Sequence, residues 1–444
     1  MNVRLKILVL LACFVEVVWL LVAQVLNNMY LLVPCLVFFL AIVLWASVKD
    51  MVLPVLLFFL PFSPLLKLQP GMISVWTIAL LAIYLIYIVM GSKKINIYHL
   101  IPALCLIALC MVVKLVYGYE FDNSFILFSA SLLMIPFLTR DLDGKYDFFW
   151  ATLCFTLGIA IAAITAQFLM VFPTISRYIE TLNAFNIIRR AGYYGDPNFY
   201  STHITAALSG VLVMLLRNTS KIKMVALIFM SLLLLYCGFL SVSKTFMLIT
   251  LCLVLFWFIA FLFDKGRLTL KIMMFMTLFI GILFLLSTTV FTDLVDMMLM
   301  RLFGSTNLSD FTTGRIELWE QYIRVLDSDL WLTIFGNGLT DILVNDHASH
   351  NILIQSIYHL GVVGCIFLGA WILCSVKSFL PHVKFQWRNL VPVFILLMGA
   401  IGPWMALDLL FFDEFFLMPI YVCLGVRYLS SCDNAPDLQR YSEE

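Results

Sequence analysis

Charge is what this chain has least of. Asp, Glu, Lys and Arg make up 12% of its 444 residues, about half of the ~25% usual in soluble domains. A soluble globular domain is thereby excluded. The net charge of +1 and the want of a basic stripe exclude a nucleic-acid partner. The eleven cysteines contain no C-x-x-C pair, so neither a disulfide framework nor a zinc site is supported. Ten of them, including Cys13, Cys110, Cys237 and Cys365, lie inside apolar runs, and Cys432 alone lies in a tail. A buried cysteine acts as a small hydrophobe. No internal repeat or low-complexity tract is visible. Nor is there the alternation over about ten residues that a membrane barrel needs.

What is present is apolar length. The chain is 63% hydrophobic with a mean hydropathy of +1.05, in continuous runs of about 15–25 residues that fit membrane helices. An all-α polytopic membrane protein is expected. Candidate spans are 7–25, 30–47, 51–66, 72–90, 99–116, 125–138, 148–172, 199–216, 224–240, 245–263, 272–290, 351–376, 390–404 and 415–430. The third holds Pro54, Pro61 and Pro64 and the sixth is short, so the expectation is about 12–14 spans. The N-terminal MNVRLKILVLLACFVEVVWLL is read as a first span, because no clear cleavage site precedes the second.

With the N-terminus inside, 18 of the 27 Lys and Arg residues fall in inside segments and 9 outside. Positive charge collects on the cytoplasmic side, so both termini are expected there. The chain then divides into N-terminal spans (1–172), a first outside loop (173–198), central spans (199–290), a large outside loop (291–350), C-terminal spans (351–430) and a tail (431–444). Loops of 26 and 60 residues are long for such a protein, and long ordered loops usually carry function. In the second, RIELWEQYIRVL predicts an amphipathic helix with Ile316, Trp319, Ile323 and Leu326 on one face and Thr313 as its cap.

The outside loops also hold most of the exceptions to the charge rule, among them Arg189, Arg190, Lys244, Arg301, Arg315 and Arg324. Guanidinium forks suit phosphate oxygens, but pairing with Asp293, Asp310, Glu317 or Asp327 explains such charges as well. Arg190 to Asn198 (RAGYYGDPN) opens a span. Gly192 and Gly195 permit unusual backbone angles there, Asp196-Pro197-Asn198 can start a helix, and free N–H groups at that start favour anions. Farther on, Asp346-His347-Ala348-Ser349-His350-Asn351 ends the large loop just before a span. Polar chemistry next to lipid is costly, which makes this cluster the first place to look for function. His350 is a candidate base, since an imidazole titrates near pH ~6.5. His347 and His350 beside Asp346 also read as metal ligands, but no third strong ligand is placed by sequence and no metal or cofactor is expected. His203 is expected to border the same cavity, and His359 to lie deeper as a structural residue. Asp408, Asp413 and Glu414 place an outside turn near 405–414. Interface solvation is their expected role, beside orienting substrate hydroxyls or neutralising the arginines.

Three segments resemble the O-antigen ligase and O-antigen polymerase superfamily of bacterial membrane glycosyltransferases. The first is R-x-G followed by D-P-N, from Arg190 to Asn198. The second is T-G-R-x-x-x-W, from Thr313 to Trp319. The third is the G-x-G turn at Gly336 and Gly338, then H-N-x-x-x-Q and G-x-x-G at His350, Asn351, Gln355, Gly361 and Gly364. The resemblance covers about residues 185–365. It implies a GT-C-like fold and metal-free glycan transfer on the outer side of a bacterial cytoplasmic membrane. The donor would be a sugar chain on undecaprenyl pyrophosphate, and the acceptor a hydroxyl of lipid A core or of another lipid-linked repeat unit. It gives His350 the acceptor, and Arg190 and Arg315 the pyrophosphate, with Arg189, Arg301 and Lys244 as further cations. Lys244 stands where many relatives carry Arg in an S-R pair, so it offers a point charge in place of a fork. Asp196, Asn198, His203, His347, Asn351 and Gln355 are further substrate-site candidates. A flippase and a chain-length regulator of the same pathway would be partners. Polymerase is favoured over ligase because no basic outside surface suits phosphorylated lipid A core. A transporter is the competing class, although visible repeats are absent.

Overall fold

A computed structural model describes residues 3–69, 72–89, 97–139, 147–176, 178–179, 190, 192–217, 220–263, 314–380, 383 and 386–434, with scattered positions between 272 and 312. The expected span at 272–290, the loop to Thr313 and the last ten residues lie mostly or wholly outside these. Among the described residues the chain is helical, with no strand and one isolated bridge between Val344 and His347.

The elements are α1 (Val3–Val25), α2 (Met29–Val48), α3 (Val52–Phe59), α4 (Val75–Val89), α5 (Ile97–Tyr117), α6 (Asn123–Thr139), α7 (Phe148–Leu169), α8 (Pro197–Arg217), α9 (Lys221–Ser241), α10 (Lys244–Phe263), α11 (Arg315–Ser328), α12 (Leu330–Phe335), α13 (Ile352–Phe379), α14 (Leu390–Ala400) and α15 (Asp413–Asn434). Ten helices among the described residues are long and apolar enough to cross a membrane, one for each of ten expected spans. In lipid a helix satisfies its own backbone groups, so apolarity all round is tolerated. The other three described spans are shorter helices. Val52–Phe62 stops where its prolines accumulate, α4 has 15 residues and α6 has 17.

Helix α8 is the axis of the bundle. It packs against α7, α9, α10, α14 and α15. Its most apolar window is 89% buried, against 17% for that of α10, which turns most of its surface outward. Small residues explain the close approach. Thr205 donates to the Gly399 carbonyl at 2.8 Å, and a Cβ on Gly399 would meet the Thr205 oxygen at 2.6 Å. Small residues at helix contacts replace the hydrophobic drive that lipid removes.

One end of the bundle gathers the polar connections. Tyr194 bonds Ser63 at 3.1 Å, Thr77 donates to Asp413 at 2.8 Å, and Ser243 donates to Asn198 at 2.8 Å. The 314–350 and 405–412 segments meet there through Ser349, His350 and Asp408, and Phe199 near the start of α8 packs on Phe412.

Candidate functional site

The start of α8 is built by its sequence. Gly192 (φ +59°) and Gly195 (φ +72°) turn the chain, Asp196 accepts the Asn198 N–H at 2.7 Å, and Pro197 supplies a helical first residue without an N–H to waste. The Asn198 side chain faces the other way and accepts from Ser243, whose hydroxyl also takes the Phe246 N–H at 3.3 Å. That ties the start of α8 to the start of α10, where Lys244 sits half-buried. The Arg190 N–H donates to the Leu240 carbonyl at 3.0 Å, in the last turn of α9. Arg190, Asn198 and Lys244 are therefore brought to one corner. Among the described residues, however, the Arg190 guanidinium bonds the Met170 sulfur and no member of the group around His350.

The second wall is α11. Gly314 precedes it at φ +77° as its N-cap, with no side-chain cap; Thr313 lies outside the described residues. Trp319 Nε1 donates to the Ser349 carbonyl at 2.9 Å, and the Tyr322 hydroxyl to the His347 carbonyl at 2.7 Å. The buried side of α11 therefore runs through Trp319, Tyr322, Val325 and Leu326. The expected apolar face needs correcting here. Ile323 is 48% exposed, while Tyr322 is 2% exposed. An amphipathic ring with a hydroxyl to place outcompetes an aliphatic side chain when the partner is a loop full of carbonyls.

His350 sits on the third segment in a left-handed conformation (φ +50°). For a residue with a Cβ this costs energy and persists only when the surroundings enforce it. Asp408 enforces it. Its carboxylate accepts from the Ser349 hydroxyl, from the His350 N–H at 2.8 Å and from the Asn351 N–H at 3.2 Å. Interface solvation is thus not the role of Asp408: it holds the turn that presents His350. Asn351 then caps α13 by accepting from the N–H groups of Leu353 and Ile354. Gln355 accepts the Leu410 N–H at 3.1 Å, which fixes the Asp408 turn from its far side. The side-chain oxygens of Asn351 and Gln355 are thereby occupied as structural ties.

Below this, the two glycine motifs lock into one another. Helix α13 is broken at Gly361 (φ +66°), leaving the carbonyls of Tyr358 and His359 free. They accept from Asn337 at 3.0 Å and Gly338 at 3.1 Å. A Cβ on Gly336 would meet the Gly361 nitrogen at 2.5 Å, so both positions exclude side chains. His359 is buried and bonds the Asn337 side chain at 3.0 Å, the structural role expected of it.

The electrostatics of His350 follow from its surroundings. Partial burial pushes its pKa below the ordinary value; Asp408 pulls it back up, Arg315 pushes it down, Asp196 raises it, and His347 lowers it. The balance favours the neutral imidazole, which makes no side-chain hydrogen bond among the described residues. Arg315 opens α11 half-buried. Burial lowers its pKa while Asp196 and Asp408 raise it, yet neither forms a salt bridge with it among the described residues. Four charged or titratable groups from four separate segments therefore converge: Asp196, Arg315, His350 and Asp408.

The remaining candidates separate from this group. His347 is exposed, its backbone engaged by Tyr322 and Val344. His203 is fully buried and bonds Glu414 at 2.8 Å. Glu414 is only 1% exposed, which corrects its reading as a solvated interface residue. Arg189 and Arg301 lie outside the described residues. No group of three or more His, Cys, Asp or Glu side chains is placed to hold a metal ion among the described residues. Two cavities flank the 407–414 turn. One of about 270 Å³ is lined by Ser349, Asp408, Tyr322 and Gln355. The other, of about 370 Å³, is lined by Asp413, Glu414, Lys67 and Tyr194. Compared with models of known protein families and with curated proteins, the chain matches none.

Proposed function

We propose that this protein is a membrane glycosyltransferase that moves a lipid-pyrophosphate-linked oligosaccharide onto an acceptor hydroxyl, extending the repeat units of a surface polysaccharide. One observation carries this reading. A neutral imidazole and a half-buried guanidinium, neither of them hydrogen-bonded through its side chain among the described residues, share the charges of Asp196 and Asp408 where a membrane helix begins. A sugar hydroxyl needs a base to become a nucleophile, and a pyrophosphate needs charge stabilisation to leave.

In the proposed reaction the acceptor oxygen attacks the anomeric carbon of the donor sugar. The bond from that carbon to the pyrophosphate oxygen breaks with inversion. The acceptor proton passes to the His350 imidazole, and the departing pyrophosphate keeps the bonding electron pair. Arg315 faces the charge that develops on it, in a half-buried setting where a fixed cation acts more strongly than in water. Asp196 and Asp408 favour the Arg315 charge electrostatically, and neither forms a salt bridge with it among the described residues. Arg190 and Lys244, on the neighbouring corner, are assigned to the second phosphate or to the lipid-proximal end of the donor. Arg190 would have to leave the Met170 sulfur to serve there. The active corner is assigned to the extracytoplasmic side of a bacterial cytoplasmic membrane, with both termini in the cytoplasm, by the distribution of Lys and Arg.

The test is purified protein in detergent given a lipid-linked repeat unit alone. A ladder of longer lipid-linked glycans establishes a polymerase. Product formed only after lipid A core is added establishes a ligase. No product with either acceptor overturns the proposal and favours a transporter.

A further inference from the structure

The 370 Å³ cavity beside the 407–414 turn is separate from the His350 corner and lies within the ~300–1,000 Å³ range of small-molecule sites. Its walls come from the 63–77 segment, the start of α6, Tyr194 and the start of α15. Its titratable groups include both carboxylates and an amine. Glu414 is bonded to His203 at 2.8 Å, and Asp413 accepts from Thr77 at 2.8 Å with Lys67 as its opposing cation. Bound metal or free amine would meet Lys67, and a free anion would meet two carboxylates. A neutral ligand is what such a site accepts.

The hydrogen-bonding groups on the walls are those a polyol needs. Asn123, Ser124 and Ser131 line the cavity, and their side chains have no hydrogen-bond partner among the described residues. Ser131 is only 3% exposed, so its hydroxyl has the cavity as its remaining outlet. A hydroxyl that reaches the cavity without a protein partner is free to bond a ligand hydroxyl. Phe128 and Phe412 add aromatic surface to the same walls, suited to the C–H face of a sugar ring. Phe411 and Phe412 also line the 270 Å³ cavity that reaches Asp408, so one turn borders both spaces.

We propose that this cavity is a saccharide subsite, which holds one sugar ring of the glycan away from the bond that reacts. The inference rests on the glycosyltransferase reading for its biological sense, but its test does not. The probes are glucose, N-acetylglucosamine and galactose as free sugars. The measurement is saturation-transfer NMR on the purified full chain in detergent. Wild type is expected to transfer saturation to at least one of the three, and His350→Ala equally, because His350 does not line the cavity. Ser124→Trp, at the half-exposed start of α6, is expected to abolish the transfer with an unchanged melting temperature. If that variant unfolds, Asn123→Ala serves in its place and is expected to weaken the transfer.

No transfer to any of the three sugars would overturn the subsite and leave a solvent vestibule only. So would transfer that neither Ser124→Trp nor Asn123→Ala changes. If the wild type builds a glycan ladder but binds none of the sugars, the subsite fails and the transferase reading stands. If it binds sugar at the cavity but yields no product with any acceptor, the subsite stands and the transferase reading fails.

Discussion

Replacing Asp408 with Asn tests how His350 is presented. The Asp408 carboxylate receives three donors, two on Oδ1 and one on Oδ2. An amide of the same shape keeps one oxygen. If that oxygen stays with Ser349 and Asn351, the new NH₂ faces the His350 N–H, donor against donor. One charge-assisted hydrogen bond is lost, worth about 1.5–3 kcal/mol. At ~1.4 kcal/mol per factor of ten, that lowers the population of the productive turn about 10–150-fold. The expected fall in turnover lies in that range, with little change in apparent donor affinity. The pH profile separates positioning from mere loss of structure. His350 must be neutral to act, so activity is present above its folded pKa and is lost as pH falls through it. That pKa already lies below the ordinary value through burial. Asp408 raises it, so neutralising Asp408 moves the acid limb to lower pH. Arg315 lowers it, so Arg315→Gln moves the limb to higher pH. The assay is initial rate of ladder formation across pH 4–8 (roughly the window of an imidazole) for wild type and both variants. Limbs that move in the same direction, or an Asp408→Asn rate equal to wild type, would refute the reasoning.

Other expectations follow from the same geometry. Arg315→Lys keeps the charge but loses the planar fork, and is expected to lower turnover at least about tenfold while the melting temperature holds, read from single-time-point ladders and thermal unfolding. Gly361→Ala puts a Cβ against the Ile334 carbonyl at φ +66°, and should cost more than the ~1–3 kcal/mol of a left-handed backbone alone; unfolding midpoints in detergent check it. His203→Ala strips the buried Glu414 of its partner, and is expected to destabilise by about 3–5 kcal/mol; a variant as stable as wild type would show that the pair is not needed for folding.

The described helices were legible because membrane spans announce themselves by apolar length. Ten expected spans coincide with ten long helices, and the proline-rich third breaks at Phe62. The motif segments were legible as local chemistry too. Asp196 caps α8 and Asn351 caps α13, as side chains of their type do. What the sequence hid was long-range. Asp408 lies 58 residues from His350, and nothing local marks it as the partner of that turn. The G-N-G turn reads as a turn, but that it fills the break at Gly361 requires knowing where α13 opens. The face of α11 was placed one residue away from Tyr322, because counting aliphatic side chains ignores what a tyrosine hydroxyl gains from the His347 carbonyl. His203 and Glu414 lie 211 residues apart, and nothing local marks them as partners.

The most direct measurement compares wild type with His350→Ala in the purified system, supplied with a lipid-linked repeat unit and no added metal. The His350 N–H and Asp408 bond survives that substitution, since it uses the backbone, so the turn is expected to persist while the base is gone. A ladder from wild type, reduced about 10²–10⁴-fold in rate in the variant, is the predicted result. Equal ladders from both proteins would contradict the assignment of His350 as the base.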